Sequence, residues 1–205
     1  MLGGGVVAFP TETVYGLGAL ANDPEAVARV FRIKARPTTR PLIVHLRSAE
    51  QLDAFAVQIP DYARTLAQAH WPGPLTLVLK RHESVADEVT GGGDTVGLRV
   101  PDHPVALSLL DALIEAGGPA TAIAAPSANP FGEAPPTTAQ GVIDGLGAPG
   151  ADDDGTPDMV LDGGECPGGV PSTVVSCTGE WPRVLRYGAV PKETIEKTIG
   201  RFVDA

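Results

Sequence analysis

The chain has 205 residues, 43% of them hydrophobic, and a formal net charge of −10 at pH 7. This length suits one globular domain with a sizeable core, and the acidity argues against a protein that coats nucleic acid indiscriminately. No apolar run approaches a membrane span and no charged-then-apolar leader precedes the first predicted strand, so we expect a cytoplasmic protein without a membrane partner. The two cysteines, Cys166 and Cys177, indicate neither a disulfide framework nor a zinc site.

Residues 9–18, FPTETVYGLG, hold the densest group of special residues in the chain. The apolar run 6–9 predicts a short buried strand, which the following proline should end because proline cannot donate to a β-ladder. Three polar residues come directly after that strand: Thr11, Glu12 and Thr13. Ligands tend to bind where strands of α/β sheets end. Gly16 and Gly18 favour a tight turn or close approach to a ligand, and an ordinary strand-to-helix turn is the alternative.

The remaining elements follow from periodicity, caps and breakers. Helices are predicted at about 24–35, 48–55, 61–70, 104–115, 138–146 and 191–203, and strands at 42–46, 75–79, 95–100, 121–125, 159–161, 173–177 and 183–185. Strand–helix–strand units followed by hairpin-like pairs predict an α/β fold with a mixed sheet. Residues 147–157 are expected to form a mobile, acidic, glycine-rich loop. The strand at 121–125 ends in proline and small polar groups, so it and the strand at 6–9 could build one site.

Cationic and hydroxyl side chains recur at the ends of the predicted elements. They are Lys34, Arg36, Arg40, Arg99 and Arg186, with Thr11, Thr13, Thr95, Ser127 and Ser172. Phosphate and carboxylate ligands need such groups, and the arginine fork binds two oxygens at once. Scattered over a surface, the same residues would contribute almost nothing. No Walker A, Ser-His-Asp or HExxH motif is present, and the loose dinucleotide motif that starts at Gly16 lacks its downstream acid.

Several motifs, in order, resemble those of the YrdC family, the threonylcarbamoyl-AMP synthases. They are PTETVYGLG at 10–18, KARP at 34–37, PLIVH at 41–45, GLRVP at 97–101, SAN at 127–129, PSTVV at 171–175 and LR at 185–186. The resemblance runs from about residue 6 to residue 190. It implies a twisted, mixed α/β sheet flanked by helices around a concave cationic groove. It also implies one domain over residues 1–205, without an additional C-terminal domain.

The resemblance further implies synthesis of threonylcarbamoyl-adenylate from L-threonine, bicarbonate and ATP, with Mg²⁺ on the ATP phosphates and pyrophosphate released. The product supplies the threonylcarbamoyladenosine (t6A) modification of tRNA, so tRNA and other proteins of that pathway are candidate partners. Two alternatives stay open. One is a related carbamoyl-adenylating enzyme, as in the YciO-like branch or hydrogenase maturation factors. The other is a non-catalytic module that binds RNA, including double-stranded RNA.

The matching motifs assign residues to this chemistry. Threonine contacts are implied for Thr13, His45, Arg99 and Ser172, and ATP contacts for Arg36, Arg40, Thr95, Ser127 and Arg186. The catalytic group is Lys34, Arg36, Ser127 and Asn129, and no side chain is assigned to a metal. A lone strand histidine such as His45 is more often structural. Three positions depart from the family pattern: Arg40 replaces an asparagine, Pro135 replaces a serine, and Ala125 offers only its backbone to threonine.

Overall fold

The computed structural model describes residues 1–151, 154–201, 203 and 204. Its strands are β1 (Val7–Phe9), β2 (Gly16–Leu20), β3 (Ile43–His45), β4 (Ala56–Val57), β5 (Leu75–Arg81), β6 (Thr95–Arg99), β7 (Ile123–Ala125), β8 (Met159–Val160), β9 (Thr173–Ser176) and β10 (Arg183–Arg186). Its helices are α1 (Pro24–Ile33), α2 (Leu52–Phe55), α3 (Asp61–His70), α4 (Asp87–Thr90), α5 (Pro104–Gly117), α6 (Ala139–Leu146) and α7 (Lys192–Ile199), with a 3-10 turn at Ala49–Gln51. Asp152 and Asp153 of the predicted mobile loop lie outside the described residues.

The strands form one mixed sheet, which confirms the predicted α/β class. Their order is β10-β9-β5-β6-β3-β7-β2-β1-β8, with β4 beside β5. The pairs β1–β8, β3–β6 and β5–β9 are parallel, and the other pairs are antiparallel. Because β1 and β7 both run antiparallel to β2, their C-terminal ends reach the same edge of the sheet. The start of β3 reaches that edge too, since β3 runs antiparallel to β7.

Strand β2 corrects the prediction of a turn around Gly16 and Gly18. Both glycines instead pair with β1 in a hairpin, and β2 also pairs with β7. A Cβ on Gly18 would overlap Cγ2 of Ile123 and lie 3.1 Å from Cβ of Ala125. Glycine is therefore required here because a side chain on the neighbouring strand fills the space that a Cβ would occupy.

We expect Gly18→Ala to lower the free energy of unfolding by about 1–3 kcal/mol, because the added methyl must displace close-packed atoms. Urea unfolding followed by circular dichroism measures the change. The matched control is Gly3→Ala, whose Cβ would meet nothing within 4 Å. Equal stability of the two variants would show that the sheet does not pack so closely around Gly18.

Helix α1 begins as predicted but ends two residues early. Asp23 Oδ1 accepts a hydrogen bond from Ala26 N at 3.0 Å, and the proline at the first helical position supports the same start. At the other end Ala35 adopts φ +49°, and Arg36 N donates to Phe31 O at 2.9 Å. This left-handed turn reverses the chain directly after Lys34. Helix α7 also ends before the predicted residue 203, because Gly200 takes φ +66°.

The core lies on both faces of the sheet. A large cluster packs α1, α3 and the 3-10 turn region against one side, and a smaller one packs α5 against β1, β2 and β7. Both cysteines are buried and free. Across the described ranges, none of the helices combines the length and the apolar character that crossing a membrane requires.

Candidate functional site

A cavity of about 610 Å³ lies at the sheet edge where β1 and β7 end. Seven of the predicted site residues line it: Thr13, Arg36, His45, Arg99, Ser127, Ser172 and Arg186. They come from seven separate motifs along the chain. Topology explains part of the convergence, because the ends of β1 and β7 and the start of β3 meet there. His45 and Arg99 lie at the other ends of β3 and β6, so the cavity extends from that edge across the sheet. The two proline-ended strands therefore contribute to one site, as their shared pattern predicted.

A first cluster of groups surrounds the hydroxyl of Ser172. Arg186 Nη2 donates to the Ser172 carbonyl oxygen and lies 2.9 Å from both that oxygen and Oγ. The Oγ of Ser172 is also 2.9 Å from Oγ1 of Thr76 on β5. Burial, and then the charge of Arg99, lowers the pKa of Arg186. An anion bound between the two guanidinium groups would offset that repulsion.

A second cluster places Arg99 beside the residues after β1. Arg99 is 5% exposed, and its Nη2 donates to Thr13 Oγ1 at 3.2 Å. The hydroxyl oxygens of Thr11 and Thr13 lie 2.9 Å apart, and Thr11 also donates to Val14 O at 2.7 Å. Arg99 Nη2 is in addition 2.5 Å from Glu12 Oε1. Two side chains of the Thr-Glu-Thr run after β1 therefore contact the same guanidinium nitrogen, Nη2.

His45 lies in the middle of the sheet with its ring in the cavity wall. Its Nδ1 is 3.1 Å from Ile43 O, and its ring meets the Phe9 ring edge-on at 5.9 Å. Burial, and then the charge of Arg99, lowers the pKa of His45 to about 3. The imidazole is therefore neutral at pH 7, and it offers hydrogen bonding rather than positive charge.

Arg36 reaches the cavity from the turn after α1. Its Nε donates to Arg40 O at 3.3 Å and its Nη2 donates to Pro41 O at 3.2 Å. The guanidinium group also lies 5.7 Å from the ring centre of Phe131. Burial, and then the charge of Arg40, lowers the pKa of Arg36. Backbone acceptors and an aromatic face thus orient this cation in the absence of a carboxylate partner among the described residues.

Lys34 and Asn129 were predicted to line the site, but they lie behind its wall. Lys34 is 2% exposed, and its Nζ donates to the carbonyl oxygens of Ser127 and Asn129. Asn129 Nδ2 donates to Pro130 O and Glu133 O, both at 2.8 Å. Burial, and then the charge of Arg36, lowers the pKa of Lys34 to about 8. In this structure both residues shape the loop that carries Ser127, so direct substrate contact by them stays a prediction.

Two further predicted ATP contacts do not line the cavity. Thr95 starts β6 opposite Lys80, and the side chain of Arg40 is exposed. The two other departures from the family pattern, Ala125 and Pro135, do line it. Thr76, which the sequence reasoning missed, had a usable signal, since it is a polar residue within a buried apolar strand.

Comparison with known proteins identifies the family. A profile named Sua5_yciO_yrdC and described as telomere recombination matches residues 1–188. A threonylcarbamoyl-AMP synthase from Pyrococcus abyssi is 50% identical over 97% of this chain and 55% of its own length. The structure described as P. abyssi Sua5 complexed with L-threonine is 48% identical, with a TM-score of 0.86, over 99% of this chain and 56% of that one. The crystal structure of Escherichia coli YciO is 26% identical, with a TM-score of 0.78, over 95% of this chain and 88% of that one.

These matches leave part of the relatives uncovered. The chain spans about half the length of the first curated relatives it matches. The prediction of a single domain without a further C-terminal domain therefore stays a prediction, as do the individual roles of the site residues.

Proposed function

The chain belongs to the Sua5/YciO/YrdC family, and we propose that it makes threonylcarbamoyl-AMP from L-threonine, bicarbonate and ATP, releasing pyrophosphate. As such a nucleotidyltransferase it would act in t6A modification of tRNA in the cytoplasm. One observation carries the proposal: seven predicted substrate-binding residues from distant parts of the chain line one cavity.

The chemistry suits a site built from arginines and hydroxyls. Bicarbonate adds to the threonine amine and loses water to give a carbamate. An oxygen of this carbamate then attacks the α-phosphorus of ATP and displaces pyrophosphate. Both reactants are anions, so the protein must hold them together and offset developing charge. The nucleophile is already charged, and the second step therefore requires no general base. Three arginines line the cavity, and Asp and Glu are absent from its described lining.

The clusters divide between the two substrates. The threonine carboxylate and hydroxyl would bind at Thr13, Arg99 and Ser172, beside the neutral ring of His45. The ATP phosphates would bind at Arg36, Arg186 and the Ser127 loop that Lys34 and Asn129 support. Thr95 and Arg40 would reach ATP only if it extends beyond the cavity.

Mg²⁺ would be held mainly by ATP rather than by a protein cage. Within the described part of the chain, no group of three His, Cys, Asp or Glu residues is placed to hold a metal. The hydroxyls of Ser127 and Thr137 at the cavity wall fit a cation whose other ligands are phosphate oxygens and water. Bound there, Mg²⁺ would supply charge neutralisation on the phosphates.

The test is pyrophosphate release from ATP by the purified chain, with mass spectrometry of the nucleotide product. We expect release to require both L-threonine and bicarbonate, and the product to have the mass of threonylcarbamoyl-AMP. Pyrophosphate release that does not depend on threonine would contradict the proposal, and so would ATP consumption without an adenylate product.

A second candidate is a related carbamoyl-adenylating activity on another substrate. The similarity to E. coli YciO over 88% of that chain favours it as the alternative. ATP turnover that depends on carbamoyl phosphate or on another amine, but not on threonine, would support it. Salt-dependent RNA binding without ATP turnover would instead favour a binding module, against which the charge of −10 weighs.

A further inference from the structure

Glu12 is a buried carboxylate placed beside a cavity whose proposed ligands are anions. Its side chain is 14% exposed, and its Oε1 lies 2.5 Å from Nη2 of Arg99, whose own side chain is 6% exposed. Apart from this ion pair, neither carboxylate oxygen has a hydrogen-bond partner among the described residues. Buried charges are normally paired and also hydrogen-bonded, so this carboxylate depends on Arg99 to an unusual degree.

The position of Glu12 in the chain explains how a negative charge is tolerated here. Thr11 and Thr13 on either side of it line the cavity, whereas Glu12 does not. Its carboxylate therefore approaches Arg99 from behind, on the side away from the proposed ligands. There it neutralises part of the arginine charge without facing the substrates directly.

Arg99 has few other restraints on its orientation. Its Nε is buried without a hydrogen-bond partner in the described structure, and its Nη2 donates to Thr13 Oγ1 at 3.2 Å. Arg186, on the other side, repels it, since the charge of Arg99 contributes to the lowered pKa of Arg186. Loss of the Glu12 charge would leave the guanidinium group held by one neutral hydroxyl and repelled by a neighbouring cation.

We propose that Glu12 is a positioning residue that fixes the guanidinium group of Arg99 for the carboxylate of L-threonine. The inference rests on the proposed function, in which threonine binds at Arg99 and Thr13. The inference predicts a change in the binding of one substrate only. The apparent affinity for threonine depends on Glu12, whereas that for ATP, bound near Arg36, does not.

The experiment compares the wild type with Glu12→Gln, Glu12→Asp and the control Glu115→Gln, an exposed position on α5. The KM values for threonine and for ATP are measured in the pyrophosphate assay, and calorimetry measures binding of each substrate alone. We expect Glu12→Gln to raise the KM and Kd of threonine by at least about tenfold while those of ATP change less than about twofold. Glu12→Asp keeps the charge with a shorter reach, so it should restore part of the threonine affinity.

Thermal unfolding separates positioning from folding. If Glu12→Gln does not fold, Glu12→Asp carries the test, with a smaller expected rise in the KM of threonine alone. Unchanged or tighter threonine binding in a folded variant overturns the inference, and so does an equal loss for both substrates. A wild type that binds threonine but fails the pyrophosphate assay contradicts the proposed function and leaves the calorimetric comparison to decide this inference. A wild type that binds no threonine overturns both.

Discussion

Replacing Arg36 with alanine should lower threonine-dependent pyrophosphate release by roughly 10²–10³-fold, the usual loss when one preorganised group that stabilises developing charge is removed. Arg36 lines the cavity, and its guanidinium group is oriented by Arg40 O, Pro41 O and the Phe131 ring. These restraints are present before ATP binds, so little reorganisation is needed at the moment of reaction. Initial rates at saturating ATP, threonine and bicarbonate measure the effect.

Two variants make the Arg36 result specific. Arg36→Lys keeps the positive charge but loses the fork that binds two oxygens, and it should recover only part of the lost rate. Arg32→Ala removes an arginine four positions earlier, on α1. Its side chain is 53% exposed and paired with Asp154 on the surface, and this variant should retain the wild-type rate. Normal turnover by Arg36→Ala would refute the role given to this residue.

That these residues meet in one site could be predicted in part, because the sequence patterns that mark the ends of strands are local. A strand that runs into proline and then into small polar residues marks a strand end, whatever its neighbours are. Two such ends, before Thr11 and before Ser127, were visible in the sequence, and the mixed sheet brings them to one edge. The family resemblance assigned distant residues that no local pattern links, such as Ser172 and Arg186, to the substrates of one site.

What the sequence could not reveal depends on contacts across the sheet. Strand β2 has the composition of a turn, and only packing against Ile123 shows why Gly18 lies in a strand. The sequence around Lys34 is compatible with a substrate contact and with a cation at a helix end. Only the contacts of its Nζ with the carbonyl oxygens of Ser127 and Asn129 show that it supports the Ser127 loop. Glu12 behaves similarly, since its partner Arg99 is 87 positions away in the chain.

Lowering the pH from about 6.5 towards 3 should destabilise the wild type relative to His45→Asn. The pKa of His45 is about 3 in the folded protein and ordinarily 6.5. Between these values the unfolded chain binds one more proton, so the stabilisation that neutral His45 provides is complete above pH 6.5 and is lost as the pH falls. The difference in the free energy of unfolding between the two proteins should narrow by roughly 1.4 kcal/mol per pH unit.

Urea unfolding of both proteins at about pH 7.5, 6.5, 5.5 and 4.5 tests the His45 prediction. The difference between the two proteins should change little from about pH 7.5 to 6.5 and should narrow at each of the two lower steps, which lie between the two pKa values. Asparagine retains a donor near the position of Nδ1, which lies 3.1 Å from Ile43 O, and it does not titrate in this range. Acidic groups whose pKa is lowered by ion pairs, such as Asp158 beside Arg29, lose stabilisation in both proteins and cancel in the difference. Parallel pH profiles would mean that His45 is readily protonated in the folded state. The imidazole in the threonine subsite would then titrate at its ordinary pKa of 6.5, and below that pH it would add a fourth positive charge to the cavity.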